Sequence, residues 1–414
     1  MRAEGVRGVQ FIHAADLHLD SPFLGLTTLP NALLTRIRQS TFAAATKIFD
    51  RALAEHVDFV VLAGDLFDRA EQSVAAQAYL FDQFERLNQA QIPVFISFGN
   101  HDYATDQHQA VAYPANVTVF TDQVGTQTLT LASGETVAVS GFSYPQRWVT
   151  ADPLPDFPPH AQTDWHIGLL HGAVATGGTA DHYAPFTLAE LLAKRYDYWA
   201  LGHIHHRQQL NAQPPVIYAG NPQGRTQQET GTKGAYLVTS QGRQLVPQFF
   251  ATADLLWETA TVTTAATTLT ELEAALTTWV RAHPASQLTL TPLTLQLTAE
   301  LTPADQAQWR ATDWPALYQR THRADLNAAQ RYFPRMTLQG PTAHLQTPQL
   351  DQTYWDQGAA ATFTPAAIQQ LFGKLAQEPS LADWLDTQVT PQDLATLATQ
   401  QLQGLMNQEG HDVS

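Results

Sequence analysis

The chain contains no cysteine. Disulfides and thiolate metal sites are therefore excluded, although that absence alone does not fix the compartment. No apolar run is long enough to span a bilayer, so no membrane association is expected. Residues 1–10 lack the apolar core of a secretory leader, and the expected location is the cytoplasm. Basic side chains are scarce: 22 Lys and Arg stand against 38 Asp and Glu, a net charge of -16. A chain this acidic is not an obvious stand-alone nucleic-acid binder, because Lys and Arg neutralising phosphates supply most non-specific affinity. Either the substrate is small, or basic residues cluster locally, or a partner supplies the positive surface. Bound cations would offset part of the acidic excess.

What is present is a globular pattern. The 414 residues are 44% hydrophobic, enough for two or three domains with a sizeable core. From residue 9 to about 239, apolar runs of strand length alternate with helix-like stretches, which predicts a layered α/β domain over 1–250. Strands are expected at 9–14, 59–63, 94–98, 137–140, 166–170, 198–201, 216–219 and 235–238. Helices are expected at 31–56 and 73–89. The proline- and aspartate-rich stretch 152–160 reads as a surface loop.

Residues 255–340 read as a small separate α+β unit. It has an amphipathic helix through Leu269, Leu272, Leu276, Trp279 and Val280, and a helix over 303–321. An alternating strand over 288–297 carries Pro292, which favours a sheet edge. Another strand is expected at 335–338. From about 341 a Gln/Thr-rich linker leads to short helix candidates, the last over 391–406 with Pro391 at its first turn.

Five motifs place metal-ligand side chains directly after strand-like runs. They are Asp16-Leu17-His18, Gly64-Asp65-Leu66-Phe67-Asp68, Gly99-Asn100-His101-Asp102, His171-Gly172 and Gly202-His203-Ile204-His205. Ligand groups gather at the carboxyl ends of strands in α/β sheets, so the five predict one site. Asp16, His18 and His205 are assigned to one metal, and Asn100, His171 and His203 to a second. Asp65 is assigned as the bridge, because two neighbouring dications need shared negative charge. Positions 203 and 205 point the same way along a strand, so one segment can feed adjacent metals. Mixed oxygen and imidazole donors suit Mn²⁺, Fe²⁺ or Zn²⁺ better than Ca²⁺, with Mg²⁺ a further alternative. The expected reaction is in-line attack on phosphorus by a metal-bridging hydroxide. His101 is left over for the leaving-group side, with Asp68 orienting its imidazole. Asp68 could instead cap the following helix. Asp102 reads as fixing its loop, and His13 and Asp20 as structural or supporting groups. His206, Arg207 and Arg225 are candidate substrate contacts. Trp165, Tyr198 and Trp199 fit core packing better than base stacking.

These motifs resemble the calcineurin-like metallophosphoesterase superfamily, over roughly residues 9–240. The resemblance implies a four-layer αββα sandwich around two divalent metals, usually Mn²⁺. Phe11-Ile-His-Ala-Ala-Asp-Leu-His-Leu19 and Ala63-Gly-Asp-Leu-Phe-Asp68 are similar to its DNA-repair exonuclease branch, typified by SbcD. Asp20-Ser-Pro-Phe23, Tyr183-Ala-Pro-Phe-Thr187 and Tyr218-Ala-Gly-Asn-Pro-Gln-Gly-Arg225 resemble the YhaO group within it. That branch implies a capping domain, here 255–340. It also implies a C-terminal helical segment, here 341–414, docking on an SbcC-like coiled-coil ABC-type ATPase, with a homodimer common. Helices over 361–408 could equally pack on their own domain. The expected activity is a metal-dependent exonuclease or endonuclease subunit acting on DNA. A small-substrate phosphodiesterase or nucleotide phosphatase is one alternative, and a mainly structural ATPase subunit is another.

Overall fold

The computed structural model describes residues 8–23, 26, 29–103, 112–175 and 182–341. In the C-terminal region it describes 354, 357, 358, 360–373, 394 and 398. Twelve strands build two six-stranded sheets. The first takes β1 (Gln10–Ala14), β2 (Phe59–Ala63), β3 (Val94–Ser97) and β4 (Val117–Val119). The second takes β5 (Gly125–Thr130), β6 (Thr136–Gly141), β7 (Trp165–His171), β8 (Tyr198–Gly202), β9 (Gln208–Ala212) and β10 (Pro215–Tyr218). The chain then returns to the first sheet with β11 (Gly234–Gln241) and β12 (Gln244–Ala251). The orders are β12-β11-β1-β2-β3-β4 and β5-β6-β7-β8-β10-β9.

Side chains alternate across each strand, so every interior strand feeds two cores. Phe11, Phe59, Val61 and Phe95 meet Val139, Ile167, Leu169 and Tyr198 between the sheets. Phe11 and Phe59 stack at 4.7 Å, and Tyr198 closes edge-on at 5.3 Å. On the other face of the first sheet, Ile12, Val60, Leu62 and Ile96 pack under α1 (Asn31–Glu55) and α2 (Val74–Gln89). Helix α1 buries Ile37, Ala44, Ala45, Ile48, Phe49 and Ala52, a helical stripe, and stops where His56 turns left-handed at φ 51. Helix α2 is capped by Ser73, whose hydroxyl accepts from Ala76 N–H. The cap is therefore not Asp68. Helix α3 (Leu188–Ala193) covers the outer face of the second sheet through Leu191, started by a Thr187–Glu190 capping box. The result is four layers, α/β/β/α.

The eight expected strands are the eight interior ones. The four that escape the pattern, β4, β5, β9 and β12, are the four sheet edges. Edge strands bury only one face in part, so polar residues such as those of Gln208–Ala212 blur the alternation. The 152–160 stretch also differs from expectation. Its Leu154 and Phe157 are buried, with Phe157 against Trp199 at 5.3 Å.

Residues 256–339 build two three-stranded parallel sheets. One is β13 (Leu256–Trp257), β15 (Thr289–Leu290) and β17 (Arg331–Tyr332); the other is β14 (Ala260–Thr264), β16 (Leu293–Leu297) and β18 (Met336–Gln339). Pro292 does not mark an edge. It separates two central strands, where no ladder N–H is required of it and its carbonyl accepts from Ala260. Helix α4 (Leu269–Ala282) buries Leu269, Leu272, Leu276 and Val280. The single expected helix over 303–321 is two, α5 (Pro303–Ala311) and α6 (Trp314–Thr321), because Asp313 caps a new start through Ala316 N–H. They are followed by α7 (Arg323–Ala329). Leu255, Trp257, Leu288 and Leu290 join Phe23, Leu29 and Ile37 in one cluster, so this region packs on α1. Farther on, α8 (Pro365–Phe372) is described; the helix expected over 391–406 lies outside the described residues, save for Leu394 and Ala398.

Candidate metal centre

Strands β1, β2 and β3 run parallel, as do β6, β7 and β8, and the loops after them meet at one edge of the sandwich. Asp16, Asp65, Asn100, His171, His203 and His205 all leave from those strand ends. The backbone there is forced. Asp16, His18, Asp65 and His203 have φ of 53, 40, 51 and 97, a region non-glycine residues seldom enter. Such strain persists where surrounding structure over-determines it, and it clusters at functional sites. The first turn is tied to the second by Asp16 N–H to Gly64 O at 3.0 Å and His18 N–H to Asp65 O at 3.0 Å.

Two ligand groups form around one carboxylate. Ligand atoms of Asp16, His18, Asp65 and His205 lie within 4.8 Å of one another. His18 Nε2 faces His205 Nε2 at 3.0 Å. On the other side, Asn100 Oδ1 lies 3.0 Å from His171 Nε2 and 3.1 Å from His203 Nδ1. Asp65 Oδ2 stands between them, 3.7 Å from His18 Nε2 and 3.4 Å from His171 Nε2. The glycines are part of this geometry. A Cβ on Gly99 would fall 2.3 Å from Asp65 Oδ1 and 2.6 Å from His171 Nε2.

Burial lowers His171, but the Asp65 carboxylate outweighs it and raises the imidazole to about 9, a positive charge that a bound cation would replace. His205 Nδ1 donates to Glu229 Oε1 at 2.6 Å, which turns its Nε2 toward His18. His171 Nδ1 donates to Ala63 O at 3.0 Å, which turns its Nε2 toward Asp65 and Asn100. Burial holds His18 down to about 3, with the Arg225 charge adding to it, and burial likewise lowers His203 well below the histidine range. Burial raises Asp16. For Asp65 burial pushes upward, but the surrounding imidazoles, His171 first, outweigh it and hold the carboxyl well below its usual value. His18 Nδ1 is buried without a hydrogen-bond partner, 3.5 Å from Asp68. Imidazole nitrogens converging on a shared carboxylate are the donor set of a divalent cation. The residues fit two divalent ions.

Around the ligands sit the residues expected to assist. His101 N–H donates to Asp65 Oδ1 at 2.9 Å, and its Nδ1 to the main-chain oxygen of Asp68 at 2.9 Å. Asp68 thus orients His101 through its carbonyl, not its carboxylate as expected. The Asp68 carboxylate instead pairs with Arg225. Arg225 is correspondingly no surface contact for substrate. Its side chain is 11% exposed and its main-chain N–H donates to Glu229 Oε2 at 2.5 Å, because burial beside two carboxylates makes it their counter-charge. His206 and Arg207 are exposed, one and two residues past His205. Asp102 fixes the loop by accepting from Gly99 N at 2.7 Å and Leu66 N at 2.6 Å. His13 is buried against Tyr198 Oη at 2.9 Å and belongs to the core.

Sequence reasoning missed Glu229 and Lys233. Glu229 lies in a loop of polar residues that reads as solvated. The only signal is pairwise: a ligand imidazole needs an acceptor on its second nitrogen. Lys233 Nζ donates to His205 O at 2.9 Å, steadying the same ligand from its backbone.

The calcineurin-like phosphoesterase family model matches residues 9–207, just under half of the chain. Over 254 residues the chain is 44% identical to the uncharacterized metallophosphoesterase YhaO of Bacillus subtilis, covering 61% of this chain and 62% of that one. It is 25% identical over 241 residues to the DNA double-strand break repair protein Mre11 of Saccharolobus solfataricus, covering 56% and 60%. To the Mre11 of Archaeoglobus fulgidus it is 26% identical over 219 residues, covering 48% and 46%. The chain thus spans less than two thirds of each of these relatives.

Proposed function

We propose that the protein is a metal-dependent phosphodiesterase of the DNA-repair nuclease branch, using Mn²⁺. One observation carries the chemistry: Asp65 Oδ2 lies between the His18 and His171 nitrogens, at 3.7 and 3.4 Å, as a bridge between two cations requires. Asp16, His18 and His205 would hold one ion, Asn100, His171 and His203 the other, with Asp65 shared. Bound there, the pair supplies Lewis-acid charge to the phosphoryl group and activates the attacking water. The chain's own residues do the rest. His101 is fixed to the bridging carboxylate by its N–H and aimed by the Asp68 carbonyl, so proton exchange with the leaving oxygen falls to Nε2. Arg225 holds Asp68, and Glu229 holds the His205 ring, so both orient the constellation without touching substrate.

DNA as substrate is supported by the likeness to proteins named for double-strand break repair. Against a net charge of -16, an SbcC-like coiled-coil ATPase would supply the missing positive surface, docked by the C-terminal segment in a cytoplasmic assembly that could be dimeric. The same acidity favours a second reading, a phosphodiesterase for small substrates such as cyclic nucleotides. The test is Mn²⁺-dependent turnover of end-labelled duplex and single-stranded DNA, with and without such an ATPase, beside cyclic nucleotides and nucleoside monophosphates. DNA cleavage supports the first reading. Turnover of small substrates alone supports the second, and no turnover of any of them rejects both.

A further inference from the structure

Immediately beside His205 lies a cavity of about 240 Å³. Its ionisable lining is His205, His206, Arg207 and Lys233, and no Asp or Glu contributes. In a chain with 38 acids and 22 bases, a cavity lined by bases alone is a departure from the rest of the surface. Its size is below the roughly 300–1,000 Å³ of sites for drug-sized ligands, so it admits one small group.

Among the described residues neither of its two fixed charges is in a salt bridge, and the Glu229 carboxylate pairs with His205 and Arg225. Lys233 is 6% exposed, and its ammonium donates to the His205 carbonyl. Arg207 lies 3.8 Å over the Phe249 ring. That contact uses the face of the guanidinium and holds its plane, while its N–H donors lie around the edge. Burial works against the Lys233 charge, the Glu229 and Asp16 carboxylates favour it, and Arg225 and Arg207 oppose it. A buried ammonium and a guanidinium lining one cavity, with no carboxylate in its wall, form an arrangement that an anion stabilises.

The place of the cavity says which anion. Lys233 directly precedes β11, which pairs antiparallel with β1, so it sits at the edge where Asp16 leaves. Arg207 is two residues past the ligand His205. We propose that this cavity is a second phosphate subsite. It takes the phosphate next to the scissile one along a nucleotide strand. This rests on the phosphodiesterase reading of the metal centre and adds what selects a strand over an isolated diester.

Two measurements on the full Mn²⁺-loaded chain test it. The first compares kcat/KM for p-nitrophenyl esters of thymidine 5′-phosphate with and without a 3′-phosphate, and of thymidine 3′-phosphate with and without a 5′-phosphate. In the wild type the added phosphate on one side raises kcat/KM about tenfold or more, through KM. Lys233→Met removes that advantage, and exposed Arg207→Gln, which leaves the fold intact, reduces it. The second measures binding of thymidine bisphosphate against the monophosphate by calorimetry. The bisphosphate binds more tightly to wild type and equally to Lys233→Met. No turnover of any ester would reject the metal-centre reading, and the calorimetry would still decide the subsite. Equal kcat/KM with and without the added phosphate, or an advantage retained in both variants, overturns the proposal.

Discussion

At one end of the second sheet, His171 and His203 face Asp65 and Asn100; at the other, His160 and His166 face Asp197 and Ser140. The residue types are nearly the same and the outcomes are opposite. In the second group every contact is a matched donor and acceptor. His166 Nδ1 accepts from Ala161 N–H at 2.9 Å and its Nε2 lies 2.8 Å from Ser140 Oγ. Asp197 Oδ2 takes His160 Nε2 at 2.9 Å and His166 N–H at 2.7 Å. At the ligand end ring nitrogens converge instead: His18 Nε2 lies 3.0 Å from His205 Nε2, and His18 Nδ1 is buried without a hydrogen-bond partner. The backbone differs too: Asp16, His18, Asp65 and His203 all have positive φ at the ligand end, against Arg195 near Asp197. A metal centre is recognised by what its side chains leave unsatisfied, not by how many histidines it collects.

That contrast can be broken in order of effect. Asp65→Ala should have the largest consequence, because it removes the only carboxylate shared by both groups. We expect loss of bound metal by elemental analysis after dialysis and loss of all hydrolysis. Activity in metal-free Asp65→Ala protein would refute the mechanism. His101→Ala should keep both ions and lower kcat about 10²–10⁴-fold, the span of general acid–base assistance. Wild-type kcat with normal metal content would remove His101 from the chemistry. Glu229→Gln keeps the size of the side chain and removes the charge that holds His205 Nδ1. Mn²⁺ affinity should weaken about 10–100-fold, read by calorimetry on folded protein. Unchanged affinity would make Glu229 merely structural.

The smallest effect concerns the satisfied end. Burial holds folded His166 down to about 4, against 6.5 for the ordinary imidazole. Between those values the unfolded chain binds a proton that the folded chain refuses. Its contribution to stability is therefore complete above about 6.5 and is lost as pH falls toward 4. His166→Gln should lower the urea midpoint at pH 7 and flatten its decline toward pH 5. A decline as steep as that of the wild type would show that other groups set the acid limit. Buried His13, held down to about 3, contributes in the same direction and leaves a residual slope.

The same distinction governs what the sequence made legible. Interior strands were readable because both faces are apolar, as in Phe59–Ala63, whereas the edges β4, β5, β9 and β12 were not. The candidate ligand side chains were readable because their motifs follow such strands. Their supports were not. Arg225 looked like a substrate contact, and only the fold buries it between Asp68 and Glu229. The Asp68 carboxylate and its carbonyl serve different partners, a division no residue type announces. Gly99 was visible in its motif, but its reason, a Cβ that would strike Asp65 and His171, exists only in three dimensions.

The measurement that bears most directly on the shared carboxylate is a titration of metal-depleted full-length protein with Mn²⁺, followed by calorimetry and by electron paramagnetic resonance. Two ions per chain, with the exchange-coupled spectrum of a bridged pair, are the expected result. A single ion per chain, or two ions with independent, uncoupled spectra, would contradict it.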